Sequence, residues 1–129
     1  MGLQYGYFTA EDDEAAAAFM LAAWPPLRED IRLDDLAELE ELLTDRSVQD
    51  TMADRRFGAE IAEQVDEDAG VAECGVVAVT DTLTRALAVA DPSTLPATWY
   101  VPVDTLRELA VVARHAVTHG HHMYCLWVV

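Results

Sequence analysis

The stretch HAVTHGHHMYCLWVV, residues 115–129, decides the fold. Its first part finishes a helix. Leu106, Leu109, Ala110, Ala113 and Val117 recur at three- and four-residue spacing and share one face. Gly120 stands where a helix ends in a left-handed residue. The following run, MYCLWVV at 123–129, is apolar on both faces. Such a strand belongs in the middle of a sheet, covered on both sides.

Working outward, CGVVAV at 74–79 predicts a second buried strand, and residues 4–8, QYGYF, a third. Thr9 is placed to cap a helix, with Glu11, Asp12, Asp13 and Glu14 in its first turn and a Thr9–Asp12 capping-box spacing. Ala15, Ala18, Phe19 and Ala22 give its stripe, and Trp24-Pro25-Pro26 stops it. A second helix starts at Asp34 or Asp35, burying Leu36, Leu39, Leu42 and Leu43 and leaving Glu38, Glu40 and Glu41 in water. Residues 44–55 read as a loop. Phe57, Ile61 and Val65 suggest a short third helix, closed by Asp66-Glu67-Asp68 and Gly70. Asp81 caps a helix over Leu83, Ala86, Leu87 and Ala90, which Asp91-Pro92 ends. Residues 92–102 form a proline-punctuated connection in which Trp99, Tyr100 and Val101 make a short edge strand or pack over the core, and Asp104 caps the last helix.

The expected fold class is therefore α+β (or α/β). It is a single domain over residues 1–129 with a mixed sheet of about three to four strands, both terminal strands included, packed by about four to five helices.

Composition narrows function by exclusion. The chain has 129 residues, 52% of them apolar, which suits one core. No apolar run is long enough to span a membrane. The start, MGLQYGYF, lacks a basic region and a signal pattern, and Tyr5-Gly6 does not fit myristoylation at Gly2. A cytoplasmic location is expected. Cys74 and Cys125 each adjoin an apolar run and read as small buried hydrophobes. There is no CxxC, P-loop or HExxH. Against 24 acidic residues stand 8 basic ones, all arginine, a formal charge of −16. Residues 1–65 carry net −11 and residues 66–129 net −5. That field repels nucleic acid and anionic lipid and favours a basic protein partner, while also keeping a small apolar domain soluble.

The candidate chemistry lies with the histidines. His115 and His119 are four apart and share a face with Glu108, away from the buried stripe. His121 and His122 open the last strand and diverge. No metal ligand set and no cofactor are expected. The alternative set is His115, His119 and His121, which converge only if the chain turns back tightly at Gly120. The plainer reading gives each a local task, such as His119 at a helix C-terminus. Cys125 reads as core. Acidic pairs three apart, Glu38/Glu41 and Glu60/Glu63, mark no cleft of the kind that carboxylate hydrolysis needs. Tyr5, Tyr7, Phe8, Tyr124 and Trp127 read as core if the terminal strands pair, whereas an exposed Trp24 or Trp99 would favour a partner surface.

The two ends, MGLQYGYFTAEDDEAA and LRELAVVARHAVTHGHHMYCLWVV, resemble small uncharacterised acidic actinobacterial proteins. In those chains a Tyr-Phe strand comes first, a Leu-rich helix follows, and a Gly-His/Arg-x-x-Tyr-Cys-Trp strand closes. The matching stretches here are residues 39–46, 79–92 and 120–127. More faintly the layout is similar to the YfbM-like domain-of-unknown-function family. The resemblance implies an α/β fold with its ends together, a shortened connection at about residues 93–103, and no catalytic residues.

The leading expectation is a small acidic binding protein, immunity-like or regulatory, and the sequence leans against an enzyme. Its contacts with a basic partner would be Glu38, Glu41, Asp45, Asp50 and Asp54 near Arg46. The alternatives are a metal-binding or hydrolytic enzyme built on the C-terminal histidines, and a homodimer pairing through the last strand and the 99–101 edge.

Overall fold

The computed structural model describes residues 3–91 and 102–129. Among these, four strands form one sheet, accompanied by five helices. In chain order they are β1 (Gln4–Ala10), α1 (Asp13–Ala22), α2 (Leu33–Thr44), α3 (Val48–Ala53), β2 (Glu60–Asp66), β3 (Val71–Ala78), α4 (Asp81–Val89), α5 (Val103–His119) and β4 (His122–Val128). The fold is α+β. No helix among the described residues is long and apolar enough to cross a membrane.

The strand order is β1-β4-β3-β2. The last strand is central, as its two apolar faces require. Its register with β1 runs from Gln4 opposite Val128 to Ala10 opposite His122. Every pair is antiparallel, so the expected mixed sheet is corrected. The cause is a hairpin where a helix was expected. Phe57, Ile61 and Val65 are spaced by four, which satisfies a helix but is also a multiple of the strand period of two. Residues 60–66 are β2, and Asp66-Glu67-Asp68 with Gly70 (φ 69°) is the turn into β3. Asp66 closes that turn by accepting from the Asp68 amide at 2.9 Å.

Alternation along β1, β3 and β4 divides the core in two. One face sets Tyr5, Tyr7, Val77, Met123 and Cys125 against Leu36 and Leu39 of α2, Leu83 and Leu87 of α4, and Leu106, Leu109 and Ala113 of α5. The other sets Phe8, Ala10, Val76, Tyr124 and Leu126 against Ala16 and Met20 of α1. At Gly75, opposite Trp127, an added Cβ would come within 2.6 Å of the indole, so only glycine lets that ring lie across the strand.

Several local expectations change. Thr9 stays in β1, and Asp12 is the N-cap of α1, its Oδ1 accepting from the Ala15 amide at 2.8 Å. Thr80, not Asp81, caps α4, and Pro102, not Asp104, precedes α5. Residues 44–55 hold α3, capped by Ser47, whose hydroxyl accepts from the Asp50 amide. Leu42 and Val117 are exposed, not part of their stripes. Glu40, expected in water, is fully buried. The expected edge strand at 99–101 lies outside the described residues. Both edges of β4 are occupied, which removes the last strand as a dimer edge; the sheet's outer strands are β1 and β2.

Candidate functional site

Two regions gather the polar chemistry. The first is the α2–α3 face. Glu38, Glu41, Leu42 and Asp45 follow the three- and four-residue spacing of one exposed side of α2, and Asp50 and Met52 are exposed on α3. Asp45 is left-handed at φ 62° and ends α2. Glu41 Oε2 accepts from the Val48 amide at 2.9 Å and so joins the two helices. Asp54 is half-buried and accepts from the Arg56 amide at 2.9 Å and from Arg46 at 3.1 Å.

Arg46, the one cation in this stretch, points inward. Its Nη1 donates to Glu40 Oε2 at 3.2 Å and to Thr82 Oγ1 at 3.1 Å, and its Nη2 donates to Asp54 and to the Asp50 carbonyl. Glu40 also accepts from Thr51 at 2.6 Å and from the Thr80 hydroxyl. A carboxylate buried in this way needs such partners to offset its lost hydration. The result is a knot tying α2, α3 and the start of α4 together.

The second region is the end of the sheet where β4 begins. The left-handed Gly120 (φ 66°) lets the His121 amide return to the Ala116 carbonyl at 2.8 Å. That turn brings His121 beside the last turn of α5. The His115 and His119 rings stack with centroids 4.1 Å apart; His121 lies 6.0 Å from the first and 5.7 Å from the second. His115 Nδ1 meets the Thr9 hydroxyl at 3.0 Å, and His119 Nδ1 meets the His115 carbonyl at 2.9 Å. As the rings stand, no three His, Cys, Asp or Glu side chains among the described residues are placed to hold a metal ion. His122 pairs with Asp81 at 2.8 Å, beside a cleft of about 250 Å³ that Thr84, Arg85 and His121 also line. An imidazole oriented by a carboxylate is suited to moving protons.

Nearby, Asp13 Oδ1 accepts from the Tyr124 hydroxyl at 2.7 Å and from Arg56 at 3.2 Å. The Tyr124 bond, then Arg56, holds the Asp13 carboxyl below its ordinary range, while burial and then Asp13 push the Tyr124 phenol up. Cys125 is buried, and that burial pushes its thiol up to about 12, which takes it out of nucleophilic chemistry. A separate apolar cavity of about 290 Å³ lies between β1 and α5, lined by Tyr7, Pro26, Leu109 and Val112 and bordered by an Arg28–Glu108 ion pair of 2.5 Å. It holds no histidine or cysteine.

Sequence reasoning missed the Glu40 knot, the His122–Asp81 pair and the Tyr124–Asp13–Arg56 group, all of which join residues far apart in the chain. Only the Ser47–Asp50 cap that orders α3 left a local signal. Comparison of the chain with protein-family models, with curated proteins and with solved structures finds no match.

Proposed function

We propose that this chain is a cytoplasmic protein-binding module that holds a basic partner against the α2–α3 face. The observation that carries this reading is the inward turn of Arg46. Its guanidinium is spent on Glu40 and Asp54, so Glu38, Glu41, Asp45 and Asp50 keep their charge uncompensated on the outside. Leu42, 44% exposed on the same side of α2 as Glu38, Glu41 and Asp45, supplies apolar contact. Acidic groups around an exposed leucine suit a basic protein surface better than a small substrate. The net charge of −16 speeds encounter with such a partner and disfavours nucleic acid.

The test is affinity capture from source-cell extract, identification of what binds, and reconstitution with purified partner. Affinity should fall steeply with salt, and the Glu38→Lys/Asp50→Lys variant should lose roughly tenfold or more while keeping its melting temperature. A partner that binds that variant as tightly as the parent overturns the assignment of this face. Light scattering on the purified chain separates a monomer from a homodimer formed through the outer strands.

A further inference from the structure

The apolar cavity between β1 and α5 opens beside acceptors that lack partners. Its walls are Tyr7, Pro26, Leu109 and Val112, and none of the described residues lining it belongs to α2 or α3. Its volume of about 290 Å³ is at the small end for ligand pockets, which run from about 300 Å³ upward. Tyr5 spends its amide and carbonyl on Arg28 across the outer edge of β1. The register with β4 is unbroken, so the amide and carbonyl of Tyr7, two residues on, face that same edge. Pro26 beside it has no N–H to give, and nothing among the described residues donates to the Tyr7 carbonyl. The second acceptor is Glu108. Its Oε2 takes Arg28 at 2.5 Å, and its Oε1 has no partner among the described residues.

Charge decides what such a cavity takes. Arg28 is the one cation among the described residues that line it, and it already faces two carboxylates, Glu108 at 2.5 Å and Asp30 at 3.9 Å. A ligand carboxylate would be a third anion at one guanidinium. An ammonium meets an excess of negative charge, in a chain whose net charge of −16 concentrates cations. We propose that this cavity binds a small organic ammonium. An apolar body the size of an aromatic ring sits against Leu109 and Val112, and the primary ammonium, with three protons to donate, is held by Glu108 and the Tyr7 carbonyl. The Arg28–Glu108 pair persists, because the ligand uses the carboxylate oxygen that the pair leaves open.

The experiment is a heteronuclear NMR titration of the full chain with three probes of one shape: phenethylamine, phenethyl alcohol and phenylacetate. The expected result is saturable shifts at Tyr7, Leu109 and Val112, with the amine binding roughly threefold or more tighter than the alcohol and the carboxylate weakest. Glu108→Gln should bring the amine down to the level of the alcohol. Val112→Phe fills the space and should abolish binding of all three, its dispersed spectrum showing that it folds. If it does not fold, Glu108→Gln still decides, since that side chain is 63% exposed. The proposal is overturned if phenylacetate binds as tightly as the amine, or if Glu108→Gln leaves the preference for the amine intact. So do binding to a folded Val112→Phe variant, or no saturable shifts at these residues with any probe.

Discussion

Removing the guanidinium from the Glu40 knot, by Arg46→Met, is the sharpest test of what holds the helical layer together. Glu40 has no exposed surface, and three donors reach its carboxylate: Arg46 at 3.2 Å, Thr51 at 2.6 Å and the Thr80 hydroxyl. The variant keeps both hydroxyl bonds and leaves the charge without a counter-ion. Breaking a buried ion pair from one side costs about 3–5 kcal/mol. The Arg46 side chain is 27% exposed, so water can enter where it stood, and the lower end applies. The bonds to Thr82 and Asp54 are lost too, but Asp54 keeps the Arg56 amide. A net loss of about 3–4 kcal/mol follows, from a total that for such domains is about 5–15 kcal/mol. For a domain of this size the melting temperature should fall by about 10–20 °C. Urea denaturation and calorimetry measure both quantities. Adding Glu40→Gln removes the stranded charge while keeping the shape, and should recover about 1–2 kcal/mol relative to Arg46→Met alone. If Arg46→Met costs less than about 1 kcal/mol, or if the two substitutions simply add, the knot is not an ion pair in energetic terms.

Three further outcomes follow from the packing. Gly75→Ala drives a methyl into the Trp127 ring and should cost about 1–3 kcal/mol, with a change in indole emission; an unchanged urea midpoint would refute the close approach. Asp13 has a lower carboxyl pKa folded than unfolded, so its contribution is present above the unfolded value and is lost as pH falls through the folded one. Melting curves from pH 7 to 3 should show Asp13→Asn flattening the drop below about pH 4, by a small amount because the side chain is 53% exposed. Burial raises both thiols, so Cys74 and Cys125 should react with a disulfide reagent at pH 8 only after denaturation. Rapid native labelling of Cys125 would contradict its place in the sheet.

How much could be read beforehand depended on whether a residue's role was local. Residues 123–129 announce a central strand because every position is apolar, and the Leu106–Ala113 stripe has only one period that fits. Phe57, Ile61 and Val65 mislead because a spacing of four serves both helix and strand. Glu40 stands between Glu38 and Glu41, and nothing in its neighbourhood distinguishes it from them. What draws it inward is Thr80, forty residues later, together with an arginine that looks like surface. The histidine corner was legible up to a condition, the turn at Gly120. The pairing of His122 with Asp81 was not legible, because it depends on where α4 begins.

The position of β4 has a consequence for how the chain folds. The β2–β3 hairpin closes across a turn of a few residues, whereas Ala10 and His122 must meet across most of the chain. Each doubling of a closed loop costs about 0.6 kcal/mol, so the longer closure carries an entropic handicap of about 3 kcal/mol. β1 touches the hairpin only through β4. Until that strand docks, the sheet is two separate pieces, β1 and the β2–β3 hairpin, linked through the packing of α1 on the hairpin and of α2 on α4. Completing the sheet is therefore expected to be the slow step of refolding, which stopped-flow measurements on substitutions within His122–Val128 would test.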